Sequence, residues 1–116
     1  MIITLPRKLK ADIDGDYQSF YVVHAIFYLN SYGSLSIKSS DVVLDCGAHI
    51  GLFTLKAANV CSHVVSVEPS SGNFYLLQRN IILNGLRKKV TPIKKAVAAR
   101  SGLRIHACII STDKNF

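Results

Sequence analysis

Asp45, Gly47, Gly51 and Glu68 are the residues of this chain whose types and spacing point to chemistry. In the stretch VVLDCGAHIGLFT, the run Val42-Val43-Leu44 stops at an acid and breaks into two glycines that bracket a turn leading into Leu52, Phe53 and Leu55. Such a turn needs glycine to reach backbone angles that other residues avoid, and to let a ligand approach the main chain closely. The helix start behind it offers unpaired backbone N–H groups and the positive end of a dipole, a setting in which nucleotide-like ligands are held. Glu68 closes the next apolar run, one strand-loop-helix-strand unit further on, where a carboxylate can accept two hydrogen bonds from a ribose diol. Either feature alone is more often an ordinary turn or a solvated strand end; their joint placement describes a nucleoside site. The run G-A-H-I-G lacks the third glycine of the dinucleotide fingerprint, so pyrophosphate binding is the weaker option.

The elements that must hold these residues alternate. A strand is expected over 41–46, a helix from about 51 to 60 and a second strand over Val64 to Val67. The Glu68-Pro69 pair then suits a helix start, with Ser70 or Ser71 as the cap. That helix carries Phe74, Leu77 and Ile81 on one face and ends at Asn84-Gly85. Val90 to Ala98 reads as a third strand, broken by Pro92, and Leu103 to Ile110 as a fourth, with the last six residues loose. Right-handed crossovers then imply an α/β fold, a parallel sheet with helices on both faces, and ligand residues at the carboxyl ends of the strands. Further upstream, Tyr17, Phe20, Tyr21, His24, Phe27 and Tyr28 share one helical face, read as packing, with a lid over a substrate as the functional alternative. His24 is expected to be packed. Asn30 to Ser40 is a connector with room for a short strand at Leu35 to Ile37. The chain divides into an aromatic helix and connector over 1–40 and a cofactor-binding unit over 41–116.

A chain of 116 residues holds one small core. Cys46, Cys61 and Cys108 are odd in number and widely spaced, which suggests neither a disulfide framework nor a metal site and points to a reducing, cytoplasmic compartment. The N-terminus has no signal-peptide layout, and Phe20 to Leu29 is too short to span a bilayer, so a soluble protein is expected. The net charge of +7 lies wholly in the C-terminal third: residues 79–116 carry nine basic groups and one acidic, residues 1–78 five and six. A solvated surface and an attraction to nucleic acid or an anionic substrate are both open readings.

DCGAHIGLFT followed by VVSVEPSSGNFYLLQRNIILNGL resembles the FkbM-type S-adenosylmethionine-dependent methyltransferases, with motifs D-x-G-A-N-x-G-x-x-T and E-P-x-x-x-x-x-x-x-L-x-x-N-x-x-x-N. The resemblance covers about residues 36–100. It implies a Rossmann-like class I methyltransferase fold with S-adenosylmethionine as cofactor. Asp45, Gly47, Ala48, His49 and Gly51 would then form the loop around its methionine end, Glu68 would hold the ribose hydroxyls, and Ala96 and Val97 would flank the adenine. His49 stands where the family usually has Asn, both being able to hydrogen-bond near the loop. Asn80 and Asn84 match the second motif and are read as structural, tying the helix to its neighbouring loop. The family's acidic D-x-E-G-x-E motif and later strands are not in this sequence. The expectation is therefore an incomplete sheet: a truncated or split cofactor-binding half, inactive alone, of an enzyme that methylates a hydroxyl on a sugar or other small molecule. Without those strands, Val42 to Cys46 is expected to present an unpaired edge open to a second chain or to self-association, unless Leu103 to Ile110 folds back over it. Two rivals remain. One is an RNA methyltransferase half, since L-x-x-N-x-x-L-N is similar to tRNA guanosine methyltransferases; the other is a non-catalytic binding module that keeps the fold.

Overall fold

The computed structural model describes residues 1–13, 22–28, 37–96 and 107–110. In chain order it holds a hairpin of β1 (Ile2–Thr4) and β2 (Lys10–Asp12), a π-helical segment His24–Tyr28, β3 (Val42–Cys46) and α1 (Leu52–Ala58). These are followed by β4 (His63–Val67), α2 (Ser71–Leu83), β5 (Val90–Ile93) and β6 (Ala107–Ile110). The β-branched runs pair as their composition requires, in the order β5-β4-β3-β6. The first three are parallel, with Val43 beside Val64 and Val64 beside Val90. Pro92 is tolerated because β5 is an edge strand.

β6 corrects one expectation. It runs antiparallel along β3, with Val43 opposite Ile109 and Asp45 opposite Ala107, so the edge expected to lie open is paired within the chain. An antiparallel partner can be reached without the helical crossover that a parallel strand needs. The expectation of self-association through an open β3 edge falls with it.

Register sorts the sheet into two faces. Val43, Asp45, Val64, Ser66 and Val90 share one face and are all buried. Their apolar members join Leu52, Leu55, Leu77 and Ile81 of the helices in a single cluster. Leu55 and Leu77 are fully covered, each contributing about 2–3 kcal/mol of burial. On the opposite face Val42, Leu44, His63 and Val65 are half-buried, and among the described residues both helices pack on the first face.

The N-terminal hairpin was not anticipated. Leu5, Leu9, Ala11 and Ile13 enter the same core cluster, and two asparagines, Asn80 of α2 and its C-cap Asn84, fasten the hairpin to the helix. Asn84 accepts from the Lys10 N–H at 2.8 Å and donates to the Lys10 carbonyl at 2.7 Å. Asn80 accepts from the Asp12 N–H at 2.7 Å, and its amide nitrogen donates to the Asp12 carbonyl at 3.2 Å and to the Ile50 carbonyl at 2.8 Å. Four helical residues rise about 6 Å and two strand residues about 6.8 Å, so asparagines four apart meet strand residues two apart. The side chains supply the partner that the outer edge of β2 lacks. Asn80→Ala is expected to lower the unfolding free energy by about 3 kcal/mol, because the Asp12 N–H and the Ile50 carbonyl lose buried partners; Asn84→Ala, at a more exposed site, about 1 kcal/mol. Urea denaturation followed by circular dichroism measures both.

The aromatic stripe is described only over 22–28. There Val23 and Ile26 are buried, Phe27 is half-buried, and His24 is exposed instead of packed. Lys56 of α1 donates to the Ile26 carbonyl at 2.7 Å and lies 5.9 Å from the Phe27 ring centroid, holding this segment against α1. The expected strand at Leu35 to Ile37 lies outside the described residues except for Ile37, which is not in a strand. No helix among the described residues is long and apolar enough to cross a membrane.

Candidate functional site

The loop from β3 to α1 is built on alternate left-handed residues: Gly47 at φ 71°, His49 at φ 57° and Gly51 at φ 94°. The two glycines serve different needs. Among the described residues a Cβ on Gly47 would meet nothing within 4 Å, which leaves its surface bare toward a ligand; a Cβ on Gly51 would lie 2.7 Å from Leu77 Cδ1. The left-handed angle also explains why His stands at 49 where an Asn is usual in the motif it resembles, since both are enriched among non-glycine residues in that region. Ala48, between them, is 5% exposed.

Hydrogen bonds close the loop against the second parallel strand. The Gly47 and Ala48 N–H groups both donate to the Val67 carbonyl, at 2.8 and 2.9 Å. Glu68, the next residue, is 5% exposed, and each of its carboxylate oxygens accepts one backbone N–H: His49 to Oε1 at 2.8 Å and Ser70 to Oε2 at 2.9 Å. Ser70 is the N-cap of α2, as expected, but without a side-chain capping bond; the Glu68 carboxylate takes its N–H instead. The Glu68 N–H donates to the Ile93 carbonyl at 3.0 Å, so the ends of β3, β4 and β5 converge on this acid. A carboxylate has about four acceptor positions, and two remain beyond those N–H groups.

Asp45 sits on the covered side of the sheet. Its Oδ2 accepts from the Thr54 hydroxyl at 2.6 Å, and Thr54 Oγ1 lies 2.6 Å from Ser66 Oγ. All three side chains are buried. Ser66 escaped the sequence reading, although a lone hydroxyl inside the apolar run V-V-S-V was its signal. Desolvation raises the Asp45 pKa from 3.8 to about 6, opposed by the Thr54 hydrogen bond and reinforced by the nearby Glu68 charge. Asp45, Gly47, Ala48 and His49 line a small cavity of about 80 Å³ with Val22 and Ile26 of the N-terminal segment, a contribution that periodicity alone did not reveal.

The raised pKa has a definite sign. Folded protein holds the Asp45 proton more tightly than unfolded protein, so this contribution to stability is present below pH 3.8 and is lost as pH rises through about 6. Asp45→Asn keeps an acceptor for Thr54 and does not ionise. Its unfolding free energy relative to the unmodified chain is expected to climb by about 2–3 kcal/mol between pH 4 and pH 7, checked by denaturant titrations across that range.

The sequence-derived site residues are thus partly assembled. Asp45, Gly47, Ala48, His49, Gly51 and Glu68 gather at the carboxyl ends of β3 and β4. Ala96 lies exposed in the segment after β5, and Val97 lies outside the described residues.

No protein-family model matches the chain and no curated protein does, so the FkbM-type resemblance finds no specific support. Solved structures do match. The complex of aTrm5 with tRNALeu is 24% identical over 82% of this chain and 27% of its own, with a TM-score of 0.64. Methanocaldococcus jannaschii tRNA m1G37 methyltransferase is 20% identical over 82% of this chain and 29% of its own, also at 0.64. M. jannaschii Trm5 in complex with adenosine is 26% identical over 60% of this chain and 22% of its own, at 0.54. The chain spans less than a third of each. It shares their Rossmann-like α/β fold over part of their length.

Proposed function

We propose that the β3–α1 loop and Glu68 hold S-adenosylmethionine, and that the chain is the cofactor-binding part of a methyltransferase acting on RNA. One observation carries the reading: a nearly buried carboxylate, fixed by two backbone N–H groups at the ends of parallel strands, beside a glycine whose outer surface is bare. The residues fit the cofactor. Glu68 has acceptor positions left for a ribose diol, Gly47 lets a nucleoside approach the main chain, and the 80 Å³ cavity beside Asp45 has room for the charged end of an amino-acid tail. Ala96 and Val97, which follow β5, are proposed to flank the adenine. Residues 41–116 are taken as the cofactor-binding unit, with the hairpin and the segment 22–28 packing against it.

S-adenosylmethionine supplies a methyl group already activated by its positive sulfur, so the protein's work is to position acceptor and donor. Glu68 and the loop orient the donor; Val22 and Ile26 cover the methionine side. RNA is preferred to a small hydroxylated acceptor because, of the three structures above, one is a tRNA m1G37 methyltransferase and one is Trm5 in complex with tRNALeu. Equilibrium dialysis tests the reading. Saturable one-to-one binding of S-adenosylmethionine, displaced by adenosine, is expected; NAD bound equally well, or no S-adenosylmethionine bound, would contradict it.

A further inference from the structure

Charge on the surface of residues 37–96 is one-sided. Between residues 37 and 96 every carboxylate is buried, Asp41 at 2%, Asp45 at 3% and Glu68 at 5% exposure, whereas Arg87, Lys88, Lys94 and Lys95 are exposed. These cations, with half-buried Lys89, bracket β5 at its two ends, Lys89 and Lys94 about 16 Å apart by the rise of five strand residues.

Between them runs a groove. Gln78, Ile82, Arg87 and Pro92 line a cavity of about 220 Å³, and Gln78 and Ile82 also line its neighbour of about 360 Å³ beside Tyr75 and Arg79. Tyr75 is 62% exposed and Ile82 60%, so an aromatic face and an apolar floor lie open between Arg87 and Arg79, the latter paired with Asp12 at 2.9 Å. Two features limit what fits. Pro92 and the flanking lysines make β5 a poor edge for strand addition by another protein. The apolar groups sit in a groove with Gln78 between them, which does not suit a lipid surface. A polyanion with stackable faces fits both the charge and the shape, since single-stranded nucleic acid is held by a basic groove with aromatic platforms.

We propose that this groove, formed by the outer side of α2 and the β5 edge, binds single-stranded RNA, with Arg87 to Lys89 and Lys94-Lys95 on phosphates and Tyr75 stacking on a base. The assignment rests on the RNA reading above and adds the surface that engages the strand.

Fluorescence anisotropy of a labelled single-stranded RNA twelve nucleotides long, titrated with the whole chain at several salt concentrations, tests it. With four or five phosphates contacted, log K is expected to fall with log salt at a slope of about −3, and Lys94→Ala/Lys95→Ala to reduce that slope by about 1.4. Tyr75→Ala is expected to weaken binding about tenfold with the slope unchanged, Tyr75→Phe to restore it, and S-adenosylmethionine binding to be unaffected by either. RNA bound equally by all these variants but lost in Lys8→Ala/Lys10→Ala would place the strand elsewhere and overturn this surface while leaving the RNA reading intact. Absence of RNA binding at low salt, with or without binding to phosphatidylserine vesicles, would overturn both.

Discussion

Glu68→Ala is expected to weaken S-adenosylmethionine binding about a hundredfold and to lower the unfolding free energy by about 3 kcal/mol. The stability loss follows from the two N–H groups the carboxylate satisfies, His49 at 2.8 Å and Ser70 at 2.9 Å, each costing about 1–3 kcal/mol when left unpaired and less where water can enter. The affinity loss follows from two charge-assisted bonds to the ribose hydroxyls, together worth about 3 kcal/mol when one carboxylate makes both. Glu68→Gln separates the two roles. Its amide keeps the shape but turns an NH₂ toward one of the two donors, so a milder loss of about 1–2 kcal/mol in stability and about tenfold in affinity is expected. Calorimetric titration and urea denaturation on the same preparations give both numbers. A Glu68→Ala chain that binds as well as the unmodified one would show that the carboxylate only organises the loop.

Gly51→Ala is expected to cost about 3 kcal/mol of stability, and Gly47→Ala only about 1 kcal/mol. Both glycines have positive φ, where an added Cβ is strained by about 1–2 kcal/mol. Only Gly51 also meets a neighbour: its Cβ would fall 2.7 Å from Leu77 Cδ1, a side chain that is fully buried. Overpacking of that kind adds about 1–3 kcal/mol. Combining Gly51→Ala with Leu77→Ala is therefore expected to cost less than the sum of the two single changes, because the second removes the atom the first strikes. Strict additivity in a denaturation cycle would show that the contact is not what requires glycine there. Gly47→Ala, by contrast, is expected to act on ligand binding, since its Cβ would occupy the bare surface beside Glu68.

The order of strands and helices in the Rossmann-like half was legible because it is written in short-range terms. Val42–Cys46 and His63–Val67 are valine-rich runs with an acid at or just past the end, and Asn84-Gly85 is a helix stop whose register the structure keeps. The convergence of Glu68 on the loop was legible in outline, from glycine spacing and one acid at a strand end. Its hydrogen bonds to His49 and Ser70 were not, because backbone donors carry no side-chain signature. The hairpin at the N-terminus was hidden for a related reason: three-residue strands give too little alternation to read, and their partners are the side chains of Asn80 and Asn84, far along the chain. The direction of β6 was equally illegible, since an apolar run fixes a strand and not which way it runs. Ser66 and Thr54 were visible as residues, but their pairing around Asp45 depends on the register of β3 with β4 and on where α1 lies.

Backbone amide chemical shifts recorded while S-adenosylmethionine is added to the whole chain test the central assignment most directly, because the His49 and Ser70 N–H groups report on the Glu68 carboxylate they bond. Saturating shifts are expected at residues 47–51 and 68–70 with one common affinity, and no comparable change at residues 87–95. Shifts absent from Gly47, His49 and Ser70 while the ligand demonstrably binds would place the cofactor elsewhere and contradict it.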